Sequence, residues 1–212
     1  VYTSTSEVYG KNGQMPWNES ADQVLGPPTE SRWSYSIMKS LCEHILHMFA
    51  KTDFDLSATV VRPFNLYGPG QRDQFVISKF IEQALEEKRP TVYDDGTQKR
   101  CFTYIDDFVE GIVTASQREH DGTEVYNLGD TTETQIKDLA EMIIDIAGMD
   151  GQPEFVSSES VHSEDFDEPD RRLPDISKAR DELDWESTTD LRSGLEETYE
   201  WAEQAHNKKP GY

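Results

Sequence analysis

The sequence is short of cations, of cysteine and of long apolar runs. Its 212 residues hold 20 Lys and Arg against 42 Asp and Glu, a formal charge of −22. Phosphate polymers are repelled by such a charge at long range, which excludes non-specific DNA or RNA binding. Two cysteines, Cys42 and Cys101, are too few for a disulfide framework and fit a reducing cytoplasm. No apolar run approaches the ~20 residues that a membrane-spanning helix needs, so a soluble protein is expected. Val1-Tyr2-Thr3-Ser4 forms neither a signal peptide nor a transit peptide. Also missing is any Gly-x-x-Gly-x-x-Gly, the turn that cradles a dinucleotide pyrophosphate. Hydrophobic content is 35%, below the usual ~45–50%, the composition of a chain that struggles to pack a core. Against disorder stand nine Tyr, nine Phe and four Trp. The acid is spread along the whole chain, as on a surface kept soluble in a saline cytoplasm; an ordinary acidic protein is the alternative.

What is present alternates strand and helix, then turns helical. Val1–Thr5 reads as the end of a strand and Gly10–Pro28 as a loop. Ser34–Ala50 reads as a helix with Ile37, Met38, Leu41, Ile45 and Met48 on a buried face. The β-branched run Ala58–Pro63 is a buried strand ended by proline, and Gly68-Pro69-Gly70 turns into a helix over Phe75–Glu87. Short strands follow at Thr91–Tyr93, Arg100–Ile105 and Val125–Leu128, with Asp106/Asp107 as the N-cap of an intervening helix. A helix over Thr134–Ala147 ends at Gly148, and the acidic stretch Ser157–Asp170 is an exposed loop. Pro174-Asp175-Ile176 opens a short helix to Trp185, and Leu191–Gln204 is the last. The pattern is α/β with an α-rich end.

The segment Tyr35-Ser-Ile-Met-Lys39 carries the most chemistry. Residues i and i+4 share a helix face, so phenol and ammonium point the same way. A free phenol is a poor base near neutrality, and a neighbouring ammonium favours the phenolate, so Tyr35 is a candidate base for an alcohol proton. Taken alone the pair is a common helical coincidence. Upstream stands Ser4-Thr5-Ser6-Glu7-Val8-Tyr9-Gly10, a hydroxyl and a carboxylate at the carboxyl end of a strand. Downstream come Arg62-Pro63-Phe64-Asn65-Leu66-Tyr67-Gly68-Pro69-Gly70, the run Asp95–Asp107 that holds Arg100, and Asp170-Arg171-Arg172-Leu173-Pro174-Asp175.

In this order the five motifs resemble the extended short-chain dehydrogenase/reductases, specifically the NAD-dependent nucleotide-sugar epimerases, dehydratases and decarboxylases. The resemblance covers nearly all of the chain. It implies the C-terminal part of a Rossmann-like doubly wound sheet plus a smaller α-rich substrate domain. Residues 1–68 would be the remainder of the NAD-binding domain and 69–212 mainly sugar-nucleotide-binding, with 94–130 partly returning to the sheet. The Gly-rich half of the family's cofactor domain is absent, which implies a chain short by that half.

By resemblance, Tyr35 takes the proton of the sugar C4 hydroxyl while NAD accepts hydride, Lys39 supports it and holds the nicotinamide ribose, and Thr5 shares the proton. Pro63 lies at the nicotinamide end. Asn65 and Arg100 match diphosphate positions, Thr91 and Tyr93 surround the base, and Arg172 approaches the diphosphate or the reacting sugar. The substrate implied is a UDP- or dTDP-sugar. Dehydratases usually carry an acid where Ser6 stands, and a hydroxyl cannot protonate a leaving group, so dehydration is disfavoured. Thr5-Ser6-Glu7 with Arg172 resembles UDP-glucuronate decarboxylases; the entry Arg32-Trp33-Ser34-Tyr35 equally suits 4-epimerases, and the two readings stay open. The family also packs the Tyr35 helix against a second subunit, which implies a homodimer.

Each residue has a plainer reading. Glu7 is one acid among many, Asn65 caps a turn, Arg100 and Arg172 pair with carboxylates, and Tyr93 is core. His44 and His47 lie one turn apart without a third ligand at metal spacing, so no metal is expected. Cys42 and Cys101 are expected to be small buried hydrophobes. The competing function is a truncated, non-catalytic module that binds a sugar nucleotide or dimerises; a chain that folds without activity is a third reading.

Overall fold

The computed structural model describes residues 1–52, 56–157 and 171–207. The first half runs β1 (Tyr2–Thr3), a 3-10 turn (Ser6–Tyr9), α1 (Trp33–Ala50), β2 (Ala58–Pro63), β3 (Leu66–Tyr67), α2 (Val76–Leu85) and β4 (Thr91–Tyr93). Then follow β5 (Lys99–Cys101), β6 (Thr103–Tyr104), α3 (Ile105–Gln117), β7 (Thr123–Leu128), β8 (Glu133–Gln135) and α4 (Ile136–Ile146). The last elements are β9 (Glu154–Val156), α5 (Ser177–Leu183) and α6 (Leu191–Asn207).

Strand β2 is β-branched and buried along almost its whole length, which suits the centre of a parallel sheet covered on both faces. It pairs in parallel with β1 on one side and β7 on the other, from Ala58↔Thr123 to Pro63↔Leu128. Neighbouring strand residues face opposite sides. Val61 packs with Phe108 and Ala115 of α3, whereas Arg62 turns to Glu43 of α1. Helices therefore cover both faces, the layering of a Rossmann-like α/β fold.

Three short two-stranded sheets carry the rest: parallel β3-β6 and β4-β9, and antiparallel β5-β8. The largest apolar cluster joins α2, α4 and α6 through Phe80, Ile81, Leu139, Ile143 and Leu195. A second lies between the parallel sheet, α3 and α5, and a small third holds Val8, Tyr9, Trp17 and Phe64. The segment before α5 is tied to the first loop by an isolated parallel bridge, Trp17↔Pro174.

Several expectations need correction. The apolar stripe of α1 faces outward: Ile37, Met38, Leu41, Ile45 and Met48 are 39–56% exposed. The inner face instead carries Ser36 and Glu43, because the surfaces beneath it present Ser4 and Arg62. Asp106 and Asp107 do not cap α3; its N-cap is Tyr104, and both acids lie in the first turn. Arg100–Ile105 is broken at Phe102 into β5 and β6, with Ile105 already helical. Helix α4 starts at Ile136 rather than Thr134, which belongs to β8, and α5 starts at Ser177 and ends at Leu183. Cys101 is buried, but Cys42 is only half-buried. Of the acidic stretch, residues 158–170 lie outside the described residues. Among the described residues no helix is long and apolar enough to cross a membrane.

Candidate active site

Strand β1 ends in a turn built by Thr5. Its hydroxyl accepts from the Glu7 backbone N–H at 3.2 Å, an N-cap that sets the 3-10 turn and buries Thr5 and Ser6. Gly10 closes the turn at φ 61°, where a Cβ would sit 2.1 Å from the Val24 carbonyl oxygen, so only glycine fits. Helix α1 packs directly against this turn.

On α1, Tyr35 is 45% exposed and Lys39 follows one turn later. The Lys39 ammonium lies 5.9 Å from the Tyr35 ring centroid and 5.0 Å from that of Tyr2. It donates to the Thr3 carbonyl oxygen at 2.8 Å, which pins the helix to the end of β1. Phenol, ammonium and the Thr5 turn thus share the carboxyl edge of the parallel sheet, where α/β folds bind ligands.

The Glu7 carboxylate accepts from Arg172 Nη1 at 3.1 Å across 165 positions of sequence. Arg172 is 7% exposed, so this guanidinium is held inside the fold beside the Thr5 turn. Backbone bonds deliver it there: Trp17 N–H donates to Leu173 O at 2.9 Å and Asp175 N–H to Trp17 O at 2.8 Å. Its neighbour Arg171 forks onto Glu133 with two 2.7 Å bonds, which hold that carboxyl below the usual carboxylate range.

Pro63 ends β2 opposite Leu128. Asn65, at φ 36°, donates through Nδ2 to the Cys101 carbonyl at 3.0 Å, beside the buried Arg100. Arg100 itself donates to the Lys99 carbonyl at 2.8 Å. Thr91 and Tyr93 are tied to α2: Gln83 bonds the Thr91 hydroxyl and amide at 3.0 Å, and Lys79 donates to the Tyr93 hydroxyl at 3.2 Å. The structure therefore joins Thr5, Glu7 and Arg172, pairs Tyr35 with Lys39, and places Asn65 next to Arg100. Thr91 and Tyr93 sit in the separate β4-β9 pair. Among the described residues no group of three or more His, Cys, Asp and Glu is placed to hold a metal.

Polar residues to which the sequence assigned no role also gather here. Tyr9, Glu43, Arg62 and Asn127 are buried and bonded to one another around the same turn. One signal in the sequence marks them: an arginine inside the strand Ala-Thr-Val-Val-Arg-Pro has to find a buried carboxylate.

NAD fits this chain in part. An exposed phenol beside an ammonium at the sheet's carboxyl edge suits the nicotinamide end, whereas no Gly-rich turn in the sequence receives the pyrophosphate. Residues 1–129 match the model of the NAD dependent epimerase/dehydratase family. Over 210 residues the chain is 36% identical to a UDP-N-acetyl-alpha-D-glucosaminuronate decarboxylase of Bacillus cytotoxicus, covering 98% of this chain and 64% of that protein. It is 36% identical to UDP-glucuronic acid decarboxylase 1 of Arabidopsis thaliana over 92% of this chain and 43% of the relative. It thus spans less than two thirds of the length of either relative. The UDP-glucuronic acid 4-epimerase of Bacillus cereus, solved with UDP-glucuronic acid and NAD, superposes with a TM-score of 0.80 at 34% identity, over 96% of this chain and 60% of that one. A family match over more than half the chain, on a Rossmann-like sheet whose carboxyl edge carries the Tyr35/Lys39 pair, settles its kinship: the chain belongs to the NAD dependent epimerase/dehydratase family.

Proposed function

We propose that this chain carries the sugar-nucleotide side of an enzyme that oxidises C4 of a UDP-uronate and then decarboxylates it. The observation that carries the reading is the buried Arg172 held 3.1 Å from Glu7, next to the Thr5 turn. A uronate brings a carboxylate, and a fixed guanidinium in that place can orient it. NAD, when bound, supplies the hydride acceptor. Tyr35 takes the proton of the C4 hydroxyl, and Thr5 shares it through a hydroxyl already oriented by the Glu7 amide. The ketone at C4 makes the sugar a β-keto acid. The C5–C6 bond then breaks, its electron pair passes towards the C4 oxygen, and carbon dioxide leaves. C5 would then take a proton from water, and as C4 regained the hydride Tyr35 would return its proton to the C4 oxygen. In this reading Asn65 and Arg100 hold the diphosphate, and Thr91 and Tyr93 flank the base. Ser6 offers no acid for eliminating a hydroxyl, which argues against dehydration.

The test is carbon dioxide release by a full-length version from UDP-glucuronate and from UDP-N-acetylglucosaminuronate. Tyr35→Phe is expected to lower kcat roughly 10²–10⁴-fold, and Arg172→Ala to abolish carbon dioxide release. If neither uronate reacts and Tyr35→Phe changes no sugar-nucleotide reaction, the reading fails. Release of a C4 epimer without carbon dioxide would establish epimerisation instead. A second reading is a sugar-nucleotide-binding module without catalysis. Calorimetry on the 212-residue chain separates the two: UDP binding without NAD binding supports the module.

The outward stripe of α1 is proposed as a homodimer surface, since five large apolar side chains on one helix face are costly in water. Leu41→Glu is expected to convert a dimer to a monomer in sedimentation analysis. A wild-type monomer at high concentration would refute it. The two free cysteines accord with a reducing cytoplasm.

A further inference from the structure

One set of buried charged and polar groups takes no part in the chemistry above. Glu43, only 5% exposed, receives a fork from Arg62: Nε to Oε1 at 3.1 Å and Nη2 to Oε2 at 2.5 Å. The Ser4 hydroxyl donates to the same carboxylate. Arg62 Nη1 donates onward to the Tyr9 hydroxyl at 2.7 Å and to the Glu19 carbonyl at 3.0 Å. The Tyr9 hydroxyl donates to Asn127 Oδ1 at 2.7 Å. Asn127 Nδ2 then donates to the carbonyls of Trp17 at 2.9 Å and Asp175 at 3.2 Å.

The two ends of this chain of bonds lie at the two halves of the proposed site. Glu43 follows Tyr35 and Lys39 at four-residue steps, so the three share one face of α1. Its partners are Ser4, the neighbour of Thr5, and Arg62, the neighbour of Pro63. At the far end, Trp17 and Asp175 belong to the backbone ladder that carries Arg172 to Glu7. As a source of stability a buried ion pair is inefficient, since well-packed apolar residues of similar volume often do as well or better. A forked guanidinium on a carboxylate supplies what apolar packing lacks, a fixed distance and direction. Proton transfer is sensitive to displacements of that kind.

We propose that Glu43, Arg62, Tyr9 and Asn127 form a positioning relay that keeps Tyr35 and Thr5 in register with Glu7 and Arg172. The relay rests on the oxidation–decarboxylation reading and adds residues that touch neither substrate nor cofactor. Cutting it at different points has different consequences. Tyr9→Phe removes one hydroxyl from the middle and leaves the ring stacked on Trp17 at 5.0 Å. The Tyr35 end stays anchored while the Arg172 end loosens.

The experiment compares Tyr9→Phe and Glu43→Gln in a full-length version turning over UDP-glucuronate, with near-ultraviolet absorbance reporting reduced nicotinamide. Tyr9→Phe is expected to lower kcat about tenfold, with KM within about threefold, and to build up the reduced-nicotinamide absorbance. Glu43→Gln is expected to slow the rise of that absorbance about tenfold and to move the acid limb of the pH–kcat profile. A merely structural role predicts neither signature, only less folded protein. Should Glu43→Gln fail to fold, Tyr9→Phe decides alone. Retention of kcat within about twofold, or its loss without absorbance build-up in Tyr9→Phe, overturns the relay. These outcomes are separable from failure of the functional reading, which Tyr35→Phe tests: an inactive Tyr35→Phe beside a normal Tyr9→Phe removes the relay alone.

Discussion

His47 shows how one half-buried ring on α1 couples acidity to stability. Burial is the largest influence and lowers its pKa; Glu43 opposes, while Lys51, Arg62 and His44 add to the lowering. The folded protein therefore binds a proton less readily than the unfolded chain, whose histidine titrates near ~6.5. Above that pH both states are neutral and His47 contributes nothing. As pH falls through ~6.5 the unfolded state gains protons first and stability drops, levelling once the folded ring also protonates. The urea midpoint is expected to fall between about pH 7.5 and pH 5.5, and to fall less in His47→Leu. An equal fall in both proteins would dismiss this account. Glu133, Glu124 and Asp190 act lower on the scale, because Arg171, Lys178 and Ser193 lower their pKa values. Their contribution is complete above the usual carboxylate range and is lost as pH falls through the lowered values.

Between elements, Asp107 is the clearest structural device. It lies in the first turn of α3, 5% exposed, and accepts from Ser187, Thr188 and Thr189 through five bonds of 2.8–3.3 Å. Its carbonyl accepts from Trp185 Nε1 at 2.9 Å. One carboxylate thus fastens the connection between α5 and α6 to the start of α3. Asp107→Ala leaves two backbone amides and three hydroxyls short of a partner and is expected to cost about 3 kcal/mol in urea unfolding. Asp107→Asn keeps one acceptor oxygen and should cost less. A loss below about 0.5 kcal/mol for the alanine variant would show that water replaces the carboxylate at no cost.

Over the whole molecule the excess of acid dominates. With 42 carboxylates against 20 Lys and Arg, the folded surface repels itself at low ionic strength. Exposed pairs such as Arg192–Asp145 and Arg180–Glu186 offset little of that repulsion. Raising KCl from about 0.1 M to about 2 M shortens the screening length to a few ångströms and is expected to raise Tm by several degrees. A Tm that falls with KCl would mean that ion pairs outweigh net repulsion. Salt should also promote the proposed α1 dimer, by screening repulsion and strengthening apolar association.

Local order and layering were legible from residues alone. Ala58–Pro63 is a strand within its expected limits, and Thr91–Tyr93 likewise, because β-branched runs bounded by turn residues have few other uses. The Tyr35/Lys39 pairing needed only the i, i+4 geometry of a helix. Periodicity could not tell which face of α1 is buried, since a stripe of Ile, Met and Leu serves a core and an interface equally well. That was decided by Ser4 and Arg62, polar groups on other elements that draw Glu43 inward. Nor does spacing bring Glu7 to Arg172, 165 residues apart: the Trp17–Pro174 bridge does. Helices and strands follow from bonds between near neighbours, so composition and period determined them. The site depends on which buried charges find each other across the chain, and only the tertiary structure decided that.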